Sequence, residues 1–218
     1  MGILTEEALK ERLRGNLVIR PILDPERQIK EGSINLRLGT KFITTKRTEY
    51  GVLRPSELSA SMIRKFQTKL YCRFGQKLLL HPGQLILSST FEFIGLPKDL
   101  SAYVLSRSRY GRVGLLVATA TYVHPNWNGT LTLELLNCGA APIELQCGEQ
   151  IAQLVIQKAT PLKMEQGKKK FKHIPTEPEF VEIKEDKDWN SLKFFRKLAG
   201  LKDEEDEEER YSQKTTSR

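Results

Sequence analysis

Cysteine is scarce in this sequence, long apolar runs are missing, and no histidine stands near another. The three cysteines, Cys72, Cys138 and Cys147, are an odd number with no C-x-x-C spacing among them. That pattern excludes a disulfide framework or a cysteine-pair metal site within one chain, and it leaves reduced, structural thiols as the expectation. No apolar stretch approaches the roughly 20 residues that a membrane-crossing helix needs. The amino terminus, MGILTEEALKERL, lacks the apolar centre of a signal peptide. Glu6 also breaks the myristoylation pattern, which requires Ser or Thr at that position. These absences point to a cytoplasmic protein that makes no use of a membrane.

What is present suits one folded core with an appendage. The chain has 218 residues, of which 39% are hydrophobic. Its net charge of +8 is unevenly spread. The tail from Leu201 carries seven acids and four bases, so the preceding 200 residues hold 31 bases against 20 acids. A basic body of this kind suits a polyanionic partner, and composition alone does not choose among nucleic acid, a membrane surface and phosphorylated metabolites. Single-strand nucleic-acid binders interleave aromatic and basic residues on their surfaces; the sequence shows no such pattern, which counts against nucleic acid.

The pattern along the chain is mainly β. A short helix is expected after Thr5, a plausible N-cap followed by acids, with Leu4 and Leu9 as a hydrophobic staple and Gly15 as its end. Then come brief runs rich in leucine and β-branched residues: SINLRLG, QKLLLHPGQLILSSTFEFIGLP, AYVLS, GLLVATATYV, GTLTLELLN, PIELQ and EQIAQLVIQ. Gly, Pro, Asn and Asp punctuate them, as in a sandwich or closed barrel. The expected division is a barrel domain over 1–162, an extension over 163–201 with an amphipathic helix at WNSLKFFRKLAG, and a disordered acidic tail over 202–218.

Two stretches carry chemistry. In GTLTLELLN, alternation puts Thr130, Thr132 and Glu134 on one strand face and Leu131, Leu133 and Leu135 on the other. An acid on such a face is ordinarily solvent-facing. In SRSRYGRVGL, Arg107, Arg109 and Arg112 interleave with Ser106 and Ser108, and Gly111 allows a close turn. Guanidinium groups and hydroxyls in that density suit phosphate oxygens. The competing reading is a solvated basic loop.

Taken together, GSINLRLGTKF, LHPGQLILSSTFEFIGLPKDL, SRSRYGRVGL, HPNWNGTLTLELLN and PIELQCGEQIAQLVI resemble, in order and nearly in spacing, the dCTP deaminase family of the trimeric dUTPase-like superfamily. The resemblance spans roughly residues 3 to 160. It implies a distorted β-barrel of the β-clip kind, assembled as a homotrimer with sites at subunit interfaces. It implies that Arg107, Ser108 and Arg112 hold a triphosphate, with Arg109, Tyr110 and Gly111 completing the loop. It places cytosine near Thr119, Thr132 and Leu133, gives the Ala120 carbonyl a part in orienting water, and makes Glu134 the proton carrier. Mg²⁺ then arrives on the nucleotide phosphates.

The implied reaction is hydrolysis of dCTP to dUTP and ammonia, with dTTP a candidate inhibitor. Water adds at C4, so a base must take its proton and an acid must return protons to the ring nitrogen and the leaving amine; one carboxylate can do both in turn. Ser108 and Arg112 would stabilise the developing charge. Zinc-dependent base deaminases carry H-x-E and P-C-x-x-C motifs. Neither occurs here, and His81, His124 and His173 stand apart, so a zinc-independent enzyme is expected.

The chain departs from the family pattern at four places. His124 stands where aspartate usually contacts the sugar, a substitution that weighs against dUTPase activity. Arg109 replaces a common serine, and Asn35 a common aspartate. The usual carboxy-terminal lid motif with its tyrosine has no equivalent, although Lys168 to Lys170 and Phe171 offer charge and a ring. The alternatives are accordingly a nucleotide-binding or regulatory homologue without turnover, and, further off, a dUTPase or bifunctional enzyme.

Overall fold

The computed structural model describes residues 2–45, 60–117, 121–160 and 175–178. The chain divides into two compact units, one formed by Met1–Glu49 with Ser61–Phe180 and the other by Tyr50–Ala60 with Val181–Arg218. The first unit carries the fold. The expected boundaries at 162 and 201, the helix at WNSLKFFRKLAG and the acidic tail lie outside the described residues.

The opening helix forms as its sequence dictates. In α1 (Glu6–Arg14) the Thr5 hydroxyl accepts the Ala8 N–H at 3.4 Å, acids occupy the first turn, and Arg12 and Arg14 occupy the last. Both ends therefore complement the helix dipole. Leu4 and Leu9 are buried in the core, and Arg12 pairs with Asp99 at 2.5 Å, drawing the Asp99 pKa down.

The next elements are β1 (Val18–Arg20), a single-turn α2 (Pro25–Gln28), β2 (Ile29–Lys30) and the long β3 (Ser33–Thr45). After the 46–59 segment come α3 (Ala60–Phe66), β4 (Gln67–Tyr71), β5 (Lys77–Leu80), β6 (Leu85–Thr90), β7 (Phe93–Gly95) and β8 (Leu100–Ser106). The chain continues through a one-turn α4 (Ser108–Gly111), β9 (Leu115–Val117), β10 (Tyr122–Val123), β11 (Asn128–Gly129), β12 (Thr132–Asn137), β13 (Ile143–Gln146) and β14 (Gln150–Lys158). Each strand run expected from the sequence contains strand among the described residues, with 118–120 of GLLVATATYV lying outside them. The α2, α3, α4, β1, β2 and β4 elements were not foreseen, each being too short for periodicity to register.

Strand β3 organises the sheet. Its first half pairs with β2 and β14, and its second half with β4 and β6. The resulting path, β10-β8-β14-β3-β6-β12-β9, curls into a half-barrel, in keeping with the distorted β-barrel expected, with smaller β1-β7-β11 and β13-β5 sheets beside it. The bend in β3 falls where its register with β6 slips, between Leu38 and Phe42. Gly39 lies in that stretch, where a Cβ would come within 2.6 Å of the Ser89 carbonyl oxygen. Only glycine lets the two backbones approach so closely.

Alternate residues fill the interior. Ile34, Leu36 and Leu38 from β3, Leu133 and Leu135 from β12, and Leu154 and Ile156 from β14 are completely buried. Each such side chain contributes roughly 1.5–3 kcal/mol by leaving water. All three cysteines are free thiols, but Cys138 is exposed. Cys72 and Cys147 lie buried side by side, and burial together with the neighbouring Cys72 pushes the Cys147 thiol up to about 11.

Candidate active site

Strand β12 shows the expected alternation. Leu133, Leu135 and Asn137 are buried, while Thr132, Glu134 and Leu136 are half-buried on the other face. The surroundings of Glu134 are not those of a solvated strand. It pairs with Leu87 of β6, and its neighbour Leu136 lies between Leu85 and Leu116, which are 40% and 47% exposed. Glu134 thus stands on a partly apolar face among part-exposed leucines.

The arginine loop reaches β12 through β9. Leu115, Leu116 and Val117 pair with Asn137, Leu136 and Leu135, so the loop opens at one end of β9 and Glu134 lies one residue past the other, about 10 Å away along the strand. The loop is tied at both ends. The Val117 N–H donates to the Ser106 hydroxyl at 3.2 Å, and the Cys138 N–H donates to the Gly114 carbonyl at 2.8 Å. Buried Asn137 braces this second anchor. Its amide donates to the Leu80 and Ala141 carbonyls at 2.8 and 2.9 Å, and its Oδ1 accepts the Gly139 N–H at 2.8 Å.

The three arginines are unequal. Arg107 is half-buried and donates from Nη1 to Gln150 Oε1 at 2.7 Å; burial, then the charge of Arg109, lowers its pKa. Arg109 lies over the Tyr110 ring, donates to the Tyr110 hydroxyl and the Gln150 carbonyl at 3.1 Å each, and sits 4.0 Å from Glu149. Tyr110 is buried, and desolvation pushes its phenol up to about 12. Arg112 is exposed; its backbone N–H donates to the Ser108 carbonyl at 3.0 Å, but among the described residues its guanidinium has no hydrogen bond or ion pair, and Ser108 and Gly111 are exposed beside it.

Ala120 and Thr119 lie outside the described residues, as do Lys168 to Phe171. His124 is exposed and meets Tyr122 edge-on at 4.8 Å; Tyr122 in turn packs against Tyr103. The imidazole opens on a cleft of about 360 Å³ lined also by Ser101, Gln157 and Lys158. Residues 175–178 return to the barrel, where the Pro175 carbonyl accepts both the N–H and the hydroxyl of Thr130 at 2.8 and 3.2 Å. Glu177 then bridges Lys41 and Lys69 at 3.2 and 2.9 Å.

Two participants were invisible in the sequence. Gln150 and Glu149 stand some forty residues from the arginines they hold, with nothing in EQIAQ to single them out. Glu92 is the most deeply buried acid among the described residues. It accepts from the Arg37 N–H at 2.8 Å and the buried Gln28 amide at 2.9 Å, yet desolvation outweighs both bonds and raises its pKa to about 7. Its place as the one acid within TFEFIGLP was the available signal.

The description "dCTP deaminase-like" matches residues 3–159, and the chain belongs to that family. It is 38% identical over 154 residues to the dCTP deaminase of Natronomonas pharaonis, covering 70% of this chain and 78% of that one. It is also 38% identical over 158 residues to a dCTP deaminase, dUMP-forming, of Dictyoglomus thermophilum, covering 72% and 80% respectively. Among solved structures, the 2'-deoxycytidine 5'-triphosphate deaminase of Agrobacterium tumefaciens shares the fold with a TM-score of 0.56 at 22% identity. That match covers 72% of this chain and 48% of the other.

Proposed function

We propose that the protein hydrolyses the exocyclic amine of dCTP, releasing ammonia and leaving dUTP. The carrying observation is the position of Glu134, half-buried among leucines and one strand away from an arginine loop suited to phosphate. Glu134 removes a proton from water as its oxygen attacks C4 and delivers it to the ring nitrogen, then takes the proton of the new C4 hydroxyl and hands it to the departing amine. The C4–N bond breaks as the C4 carbonyl forms, and the carboxylate ends as it began. Arg112 and Ser108 stabilise charge near the reacting carbon, Arg107 binds phosphate, and Ala120 orients the water. The substrate is Mg–dCTP, so the protein needs no metal ligands of its own.

The exposed Leu85, Leu116, Tyr103 and Tyr122 support a homotrimer in which neighbouring copies cover this face and complete the site. Light scattering at three times the chain mass would agree; a monomer that deaminates dCTP would remove the interface from the reading. The chemistry is tested by incubating protein with dCTP and Mg²⁺ while following ammonia and nucleotide. No product at high protein concentration would overturn it. Tight dCTP binding without turnover would instead support the non-catalytic homologue.

A dUMP-forming enzyme would also release pyrophosphate from its nucleotide. His124, bulkier than a carboxylate and without its negative charge, favours dUTP as the final product, and a pyrophosphate assay on the same reaction decides between them. Zinc independence rests on the missing H-x-E and P-C-x-x-C motifs. It requires that a strong zinc chelator leave the rate unchanged when Mg²⁺ is in excess.

A further inference from the structure

Strand β14 begins with an irregularity. Gln150 pairs with Arg37 of β3, but the next pair is Ala152 with Leu36, so Ile151 is an extra residue on β14. A bulge of this kind re-aims side chains and frees backbone groups. Here three acceptors at the bulge address the arginine loop. The Ile151 carbonyl accepts the Arg107 backbone N–H at 3.3 Å, the Gln150 carbonyl accepts from Arg109 at 3.1 Å, and Gln150 Oε1 accepts from Arg107 Nη1 at 2.7 Å. Glu149, one residue earlier, stands near Arg109.

Resting on the reading of Arg107 as a phosphate ligand, we propose that Gln150 is a positioning residue that selects for the polyphosphate by holding the Arg107 guanidinium with a neutral acceptor. An amide oxygen fixes the direction of the guanidinium and leaves its full positive charge for an incoming anion. A carboxylate at the same position would hold Arg107 more strongly but neutralise it, competing with phosphate for the same donors. The carboxylate nearby, Glu149, instead stands 4.0 Å from Arg109 and against the Tyr110 hydroxyl, beside the arginine already committed to Tyr110 and the bulge. The bulge thus gives the anion-binding arginine a neutral partner and the structural one an acidic partner.

Gln150→Glu distinguishes this role from simple support of the loop. Dissociation constants for dCTP and for phosphate-free deoxycytidine are measured on wild type, Gln150→Glu, Arg107→Ala and the double variant, with melting temperature and assembly checked for each. The expected result is about tenfold or more weaker dCTP binding in Gln150→Glu, the scale of one charge-assisted hydrogen bond, with deoxycytidine affinity unmoved. Under turnover the loss falls on KM and not on kcat, and it disappears in the Arg107→Ala background.

Equal or tighter dCTP binding by Gln150→Glu would overturn the inference, because a merely structural contact is strengthened by the extra charge. The same loss with and without Arg107 would also overturn it. Should Gln150→Glu fail to fold, Gln150→Met removes the acceptor at similar volume; it is expected to weaken dCTP binding a few-fold, and wild-type affinity there would sink the proposal. Wild type that binds no dCTP would remove the reading of the site and this inference with it. Normal wild-type binding with unaffected variants removes the inference alone.

Discussion

Gly114 and Gly139 meet backbone to backbone: a Cβ on Gly114 would stand 2.7 Å from the Gly139 nitrogen and 2.8 Å from its Cα. Gly114 also has φ +93, a left-handed conformation that disfavours any side chain. This contact seats the end of the arginine loop on the turn that follows β12. Gly114→Ala is expected to cost about 2–4 kcal/mol, combining strain with a clash against backbone that cannot swing away. Gly111, in α4 with open space around it, provides the contrast: Gly111→Ala is expected to change stability by no more than about 0.5 kcal/mol. Denaturant unfolding of the two variants tests the difference.

For Glu134, replacement by Gln keeps shape and neighbours but removes the proton carrier. Turnover of dCTP is expected to fall by at least about 10²–10⁴, the usual contribution of general acid–base catalysis, with dCTP affinity and assembly retained. Loss of assembly in Glu134→Gln would show the residue to be an interface contact instead.

Arg112 and Arg109 make a second discriminating pair. The Arg112 side chain is exposed without a partner among the described residues, so Arg112→Ala is expected to weaken dCTP binding by about 1.5–3 kcal/mol with little change in melting temperature. Arg109 holds Tyr110 and the bulge. Arg109→Ala is therefore expected to lower thermal stability measurably, and its effect on dCTP affinity should be the smaller of the two. Calorimetric titration and melting curves on both variants would reveal the opposite order if the roles are exchanged.

Burial of Glu92 makes part of the stability depend on pH. Its folded pKa, about 7, stands above the ordinary 4.5, so the folded chain keeps a proton that the unfolded chain has released between those values. Stability from this group is fully present below about pH 4.5, falls as pH rises towards 7 and levels off above it, for a total of about 3 kcal/mol. Glu92→Gln imitates the protonated acid. The gap between wild type and this variant in denaturant midpoint should therefore change between pH 5 and pH 8, moving against the wild type. A constant gap would show that Glu92 keeps one protonation state throughout.

The residues themselves determined much of this protein. Alternation of Leu with Thr and Glu in GTLTLELLN predicted which face of β12 turns inward, because strand periodicity is local. Thr5, the acids after it and Gly15 delimited α1 for the same reason. The arginine loop was legible as a cluster because its members are close neighbours in the chain. Tertiary structure alone decided what each arginine does. Arg107, Arg109 and Arg112 look alike in sequence, and they differ only because a bulge some forty residues later presents Gln150 and Glu149 to the first two and leaves the third open. It also decided that Glu92, not Glu134, is the acid fully removed from water, and that Cys72 and Cys147 are neighbours. Such outcomes depend on contacts between distant strands, and a linear pattern carries no record of which strands the bend in β3 will bring together.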